Sequence, residues 1–156
     1  MGVNFHGPFY LMKAVLPHFL AKPGKAEGQA PMTVFPKKGS IVNVCSTAAI
    51  HGAAAGVLYT ASKHALLGAS RNTAWMYNKD GIRTNVVVPG GVMTNIMGNS
   101  GTQAADPVGQ ALLQPMHALM PAVCRAEDVA KAIVFLAGAD AVNGAELTVD
   151  HAWTAA

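Results

Sequence analysis

The stretch SIVNVCSTAAIHGAAAGVLYTASKHALLGASRN, residues 40–72, decides the fold. It opens with SIVNVCS (40–46), a β-branched run suited to a strand buried on both faces. A loop of small residues follows, TAAIHGAAAG (47–56). Then VLYTASKHALLGASRNTAWMYNK (57–79) reads as one long helix, with Gly81 near the position expected of a helix stop. Inside that helix Tyr59 and Lys63 stand four apart among small residues. A surface helix would carry more charge, and a core helix would rarely carry a lysine. Residues i and i+4 share a helix face, so phenol and ammonium project together.

Upstream, VNFHGPFYLMKAVLPHFLA (3–21) spaces Phe5, Phe9, Met12, Leu16, Phe19 and Leu20 on one broad helical face, with Pro17 expected to bend its end. Residues 22–39 hold three prolines, three glycines and four lysines, the composition of a surface connection. Downstream, IRTNVVV (82–88) is a second strand, stopped by Pro89-Gly90-Gly91. Residues 93–120 show no clean period over most of their length and read as a lid or binding loop. AEDVAKAIVFLAGA (126–139) is a helix with acidic residues in its first turn, and AELTVD (145–150) a last short strand.

Alternation of helices and strands at this spacing predicts an α/β fold with a parallel sheet and helices on its faces. Ligands in such sheets sit beyond the carboxyl ends of the strands. Ser46 and the PGG turn then share one rim, and the helix carrying Tyr59 starts there.

Composition excludes other classes. The 156 residues suit one domain, and 51% hydrophobic against 12% charged residues favours a core over disorder. A net charge of +3, with no basic stripe, gives no case for nucleic acid. No apolar run approaches the ~20 residues of a membrane span. Cys45 and Cys124 lack zinc or CxxC spacing, Cys45 is expected as a buried reduced thiol, and the histidines show no metal-binding grouping. A soluble cytoplasmic protein without metal is the expectation.

The rim has chemistry. A free phenol titrates near pH ~10 and is a poor proton donor or acceptor at neutrality. An ammonium one turn away favours phenolate and fits the phenol to proton transfer with an alcohol or ketone oxygen. Ser46 offers a hydroxyl for the same oxygen. A lone YxxxK is common on amphipathic helices; the strand ending in Ser and the strand ending in PGG give it weight. A serine hydrolase would want GxSxG, and Ser46 sits in VCSTA. His51, between Ser46 and Tyr59, is a candidate pocket residue. Met93, Met97, Met116 and Met120 suit either a flexible lid over an apolar ligand or an irregular core.

These residues together resemble the short-chain dehydrogenase/reductase family over nearly the whole chain. GSIVNVCS (39–46) is similar to the family's fifth strand with its final serine, and YTASK matches YxxxK thirteen residues after Ser46. VNFHG (3–7) resembles VNxxG, NVVVPGGVMT (85–94) the NxVxPGxVxT turn, and NGAELTVDHAW (143–153) the closing TGxxxxVDGG, with His151 and Ala152 in place of two glycines. The resemblance implies a Rossmann-type fold and an NAD- or NADP-dependent oxidoreductase acting on a small-molecule alcohol or ketone. It implies Tyr59 as acid/base, Ser46 and Asn4 as further catalytic residues, and Lys63 as ribose ligand and tuner of Tyr59. Pro89, Gly90, Gly91, Val92 and Thr94 would lie at the nicotinamide, and Ser46, His51, Tyr59 and Met93 at the substrate. It also implies a homo-oligomer.

The family's glycine-rich TGxxxGxG turn and NNAG motif have no counterpart here, and the GNSGT run beginning at Gly98 is no substitute. The expectation is therefore one partial domain, the carboxyl half of a dehydrogenase, economically explained by a truncated gene model. Its first strand and first helix would be left partly uncovered, inviting association. A half-domain that catalyses nothing and acts only through association is the competing expectation.

Overall fold

The computed structural model describes residues 1–23, 37–95 and 106–155. Part of the 22–39 connection, and the GNSGT run with Met97, lie outside the described residues.

The chain opens with a single π-helical turn, Gly2–His6, running directly into α1, Gly7–Leu20. Pro8 occupies the first turn of α1, where its missing N–H costs nothing. Pro17 lies inside α1 and does not end it. After β1, Gly39–Val44, a 3-10 turn at Thr47–Ala49 leads to α2, Val57–Met76. Gly81, at φ 73°, takes the left-handed conformation that closes this helical region and starts β2, Ile82–Pro89. β3, Val92–Met93, and α3, Pro107–Ala118, follow. Then come β4, Cys124–Arg125, α4, Ala126–Gly138, and β5, Glu146–Val149.

The main sheet is parallel with order β1-β2-β5, Val44 facing Val87 and Pro89 facing Val149. β3 and β4 form a separate parallel pair, Val92 against Cys124. The 93–120 region thus contains a helix the sequence reading missed, and the short strands β3 and β4 border it. Periodicity hid α3, yet Asp106-Pro107 marks its start: the Asp106 carboxylate accepts the N–H groups of Val108 and Gly109, at 3.3 and 2.9 Å.

β2 is central and buried, and its side chains alternate between two cores. Val86 and Val88 meet Met12, Cys45, Ala49, Leu66 and Leu67 on the α1/α2 face. Val87 meets Val129, Ala132 and Leu136 on the α4 face. Buried polar groups are tied down. The Asn43 amide donates to Ser70 Oγ at 2.8 Å, joining β1 to α2. Asn85 donates to the Val142 carbonyl and accepts the Ala145 N–H, stitching β2 to the segment before β5. Arg83 caps α4, its guanidinium donating to the carbonyls of Leu136, Ala137 and Val142 at 2.7–3.0 Å.

The broad apolar face expected of the first helix is covered only in its middle. Met12 and Leu16 are buried, while Phe9 is 41% and Leu20 38% exposed. β1 pairs only with β2 among the described residues, and Val44 is 44% exposed rather than buried.

Candidate active site

The start of α2 brings Tyr59 and Lys63 to the carboxyl end of β1. Gly56 caps α2 in extended backbone, so Tyr59 falls in its first turn. Lys63 follows one turn later. Its Nζ donates to the carbonyl of Val44, the last residue of β1, at 3.1 Å. The same Nζ stands 5.6 Å from the centroid of the Tyr59 ring. The expected juxtaposition of ammonium and phenol is therefore present, anchored on the sheet rather than loose on a helix surface.

Burial lowers the Lys63 pKa, because the ammonium has given up water; nearby Cys45 opposes the shift. Cys45 is 3% exposed, its S–H directed to the Lys63 carbonyl at 3.9 Å, and burial pushes its thiol up to about 11. It is a structural thiol, protonated at neutral pH.

Ser46, two residues past the end of β1, is extended and caps the 3-10 turn, its Oγ accepting the Ala48 N–H at 3.2 Å. Accepting that bond leaves its own proton to donate. Ala48 in turn belongs to the apolar cluster that receives the Tyr59 ring, so Ser46 and Tyr59 adjoin one patch. Asn4 lies half-buried in the π-helical turn, which packs on α2. His51 is half-buried and shapes the loop through its backbone, its N–H reaching the Thr47 carbonyl at 2.9 Å.

The PGG turn behaves differently from its three neighbours downstream. Pro89 is buried at the end of β2, and Gly90 bonds back to Val149 at 3.0 Å. A Cβ on Gly90 would lie 2.7 Å from the Asp150 Cβ, and one on Gly91 would lie 2.7 Å from Met120 Sδ. Both glycines have a packing reason within the chain itself. Val92 turns its side chain into the α4-side core, whereas Met93 is 71% exposed and Thr94 is exposed.

Sequence reasoning offered Met116 and Met120 as lid or core but missed Trp153 and the alanines they pack on. Tyr59 packs against Ala48, Ala54 and Trp153, with Met116 and Met120 beside them. Trp153 arrives on a turn fixed by Asp150, whose carboxylate accepts the N–H groups of Ala152 and Thr154 and the Thr154 hydroxyl, at 2.6–3.0 Å. His151 (φ 54°) and Ala152 (φ 66°) both hold left-handed backbone there, the conformation glycine adopts most readily. The residues differ from the resembled VDGG ending while the backbone path suited to glycine is kept.

A parallel sheet flanked by helices on both faces is the architecture of a partial Rossmann-type domain. Comparison with known proteins sharpens this. A family profile described as enoyl-(acyl carrier protein) reductase matches residues 1–154. A short-chain dehydrogenase/reductase of Talaromyces verruculosus is 39% identical over 162 residues, spanning 99% of this chain and 58% of that protein. Among solved structures, 4-hydroxyisoleucine dehydrogenase complexed with NADH and succinate is 25% identical with TM-score 0.70, covering 99% of this chain and 57% of the other. Gluconate 5-dehydrogenase from Burkholderia cenocepacia J2315, in complex with NADP and tartrate, is likewise 25% identical with TM-score 0.70, over 99% and 54% of the two chains. The chain belongs to the short-chain dehydrogenase/reductase family. It spans little more than half the length of the relatives it matches. No helix among the described residues is long and apolar enough to cross a membrane.

Proposed function

We propose that this chain carries the chemical groups of an NAD- or NADP-dependent oxidoreductase that interconverts a secondary alcohol and a ketone. The observation that carries the reading is the Lys63 ammonium, fixed on the Val44 carbonyl and set against the Tyr59 ring at the rim of the sheet. In the reducing direction the Tyr59 phenol gives its proton to the carbonyl oxygen; in the oxidising direction it takes the proton from the alcohol. The Ser46 hydroxyl donates to the same oxygen and orients it. Asn4 anchors a water in the relay that returns the proton.

The residues present fit the nicotinamide-ribose end of the cofactor. An ammonium has three donors, and Lys63 directs one to Val44, leaving two for ribose hydroxyls. When bound, the nicotinamide supplies or accepts the hydride. Pro89, Gly90, Gly91, Val92 and Thr94 are the residues proposed to hold the nicotinamide end. Solved relatives with NADH and with NADP support a nicotinamide nucleotide without choosing between them. His51 and Met93 are the proposed further substrate contacts, and a cytoplasmic homo-oligomer is the proposed setting.

The second reading is a chain that acts only through association. The one-sided pairing of β1 and the exposure of Tyr10, Leu11 and Trp75 favour it. The discriminating experiment titrates NADH and NADPH, by fluorescence, into this chain and into a version extended upstream in the genomic reading frame. Binding by either supports the oxidoreductase. Turnover in the binding form should fall by about a hundredfold or more in Tyr59→Phe, as for loss of a general acid/base. Binding by neither, or an undiminished Tyr59→Phe rate, refutes it.

A further inference from the structure

α3 is joined to the candidate site by two hydrogen bonds running in opposite senses. From α3, His117 Nε2 reaches the Ala54 carbonyl at 3.0 Å, and because a carbonyl only accepts, Nε2 carries the proton. Toward α3, the Trp153 indole N–H donates to the Met116 carbonyl at 2.8 Å. The two rings meet edge to face, 5.8 Å apart at 62°. Trp153 is 4% exposed, and the Tyr59 ring packs against it together with Ala54, Met116 and Met120. The last turn of α3 is thus held against the loop before α2 by one of its own side chains and by one from the carboxyl end of the chain.

We propose that Trp153 and His117 clamp α3 onto the cluster that receives the Tyr59 ring, making Trp153 a positioning residue that holds Met116 and Met120 as an apolar wall of the same site. The wall suits a hydrocarbon skeleton beyond the carbinol carbon. This deepens the oxidoreductase reading and rests on it for the meaning of the wall, while the clamp itself is testable without any nicotinamide.

The test is acetylation of tyrosines by N-acetylimidazole, followed residue by residue by peptide mass spectrometry on the 156-residue chain. Tyr10 on α1 and Tyr77 after α2 are internal controls. Loss of one clamp bond, in Trp153→Phe or His117→Leu, is expected to raise Tyr59 acetylation about three- to tenfold with Tyr77 unchanged. His117→Gln, which restores a donor, is expected to return the rate toward that of the parent. If Trp153→Phe loosens the whole chain, so that Tyr77 rises too, the His117 pair decides. A Tyr59 rate unmoved by His117→Leu, or one that Gln does not restore, overturns the clamp. Added 2-decalone should protect Tyr59 in the parent, whereas hydroxyacetone should not. Equal protection by both, or by neither, overturns the apolar wall. Failure of the nicotinamide titration would leave the acetylation pattern intact, so the two readings fail separately.

Discussion

His151 and Ala152 offer a quantitative test of how this chain holds its last turn. Both carry side chains at positive φ, 54° and 66°. A left-handed residue with a Cβ costs roughly 1–2 kcal/mol. Glycine relieves that cost but gives back about 0.4–1 kcal/mol through the greater freedom of the unfolded chain. Each substitution to glycine should therefore stabilise the fold by roughly 0.5–1 kcal/mol. Both side chains are exposed, so little packing is lost. Histidine tolerates this region better than alanine, so Ala152→Gly should gain more than His151→Gly. For a chain of this size about 1 kcal/mol shifts the midpoint by roughly 2–4 °C, so the double variant should melt about 3–6 °C higher. Thermal unfolding followed by circular dichroism at matched concentration measures this. A double variant melting at or below the parent would show that the Asp150 carboxylate, with its three bonds, has removed the strain, and the reasoning would fail.

Three further outcomes follow from the packing. The unfolded Cys45 thiol ionises from its ordinary value of 9.0 while the folded one holds its proton to about 11. The folded chain binds more protons in that window, so stability falls as pH rises through it, by roughly 2–3 kcal/mol from Cys45 alone. Lys63, with its folded pKa lowered, acts in the opposite sense, so denaturant titrations of Cys45→Ala should show a flattened or reversed alkaline slope. Gly90→Ala should cost about 1–3 kcal/mol, since its Cβ would meet the Asp150 Cβ, while Gly91→Ala should cost less, since the mobile Met120 sulfur can withdraw; equal costs in urea titrations would contradict this. Arg83→Gln should lose about 1.5–3 kcal/mol by removing charged donors from three carbonyls, and faster hydrogen exchange at the end of α4 should report where.

The sheet was legible because β1 and β2 carry β-branched runs with Gly or Pro at their ends, and α2 because Tyr59 and Lys63 mark its first turns. β3 and β4 were not, because two-residue strands leave no alternation to read. α3 escaped because Pro115 and Gly109 interrupt its pattern, although the Asp106 cap was available. The phenol and ammonium were readable from an i, i+4 spacing. Of their surroundings Met116 and Met120 were read as lid or core, but Ala54 and Trp153 were not, since tertiary structure brings them together and they share no local pattern. The expected two-sided burial of β1 failed because β1 is the edge of the sheet among the described residues: Ile41 and Val42 are only half-buried and Val44 is 44% exposed.

The Tyr59 ring is touched by segments scattered from Ala48 to Trp153, and that order of appearance matters during translation. Strands and long helix can settle as they leave the ribosome, because domains tend to form from the amino end onward. The surroundings of the phenol cannot, for one of their walls, Trp153, is synthesised long after Tyr59. A nascent chain stalled before Trp153 would carry Tyr59 and Lys63 without that enclosure.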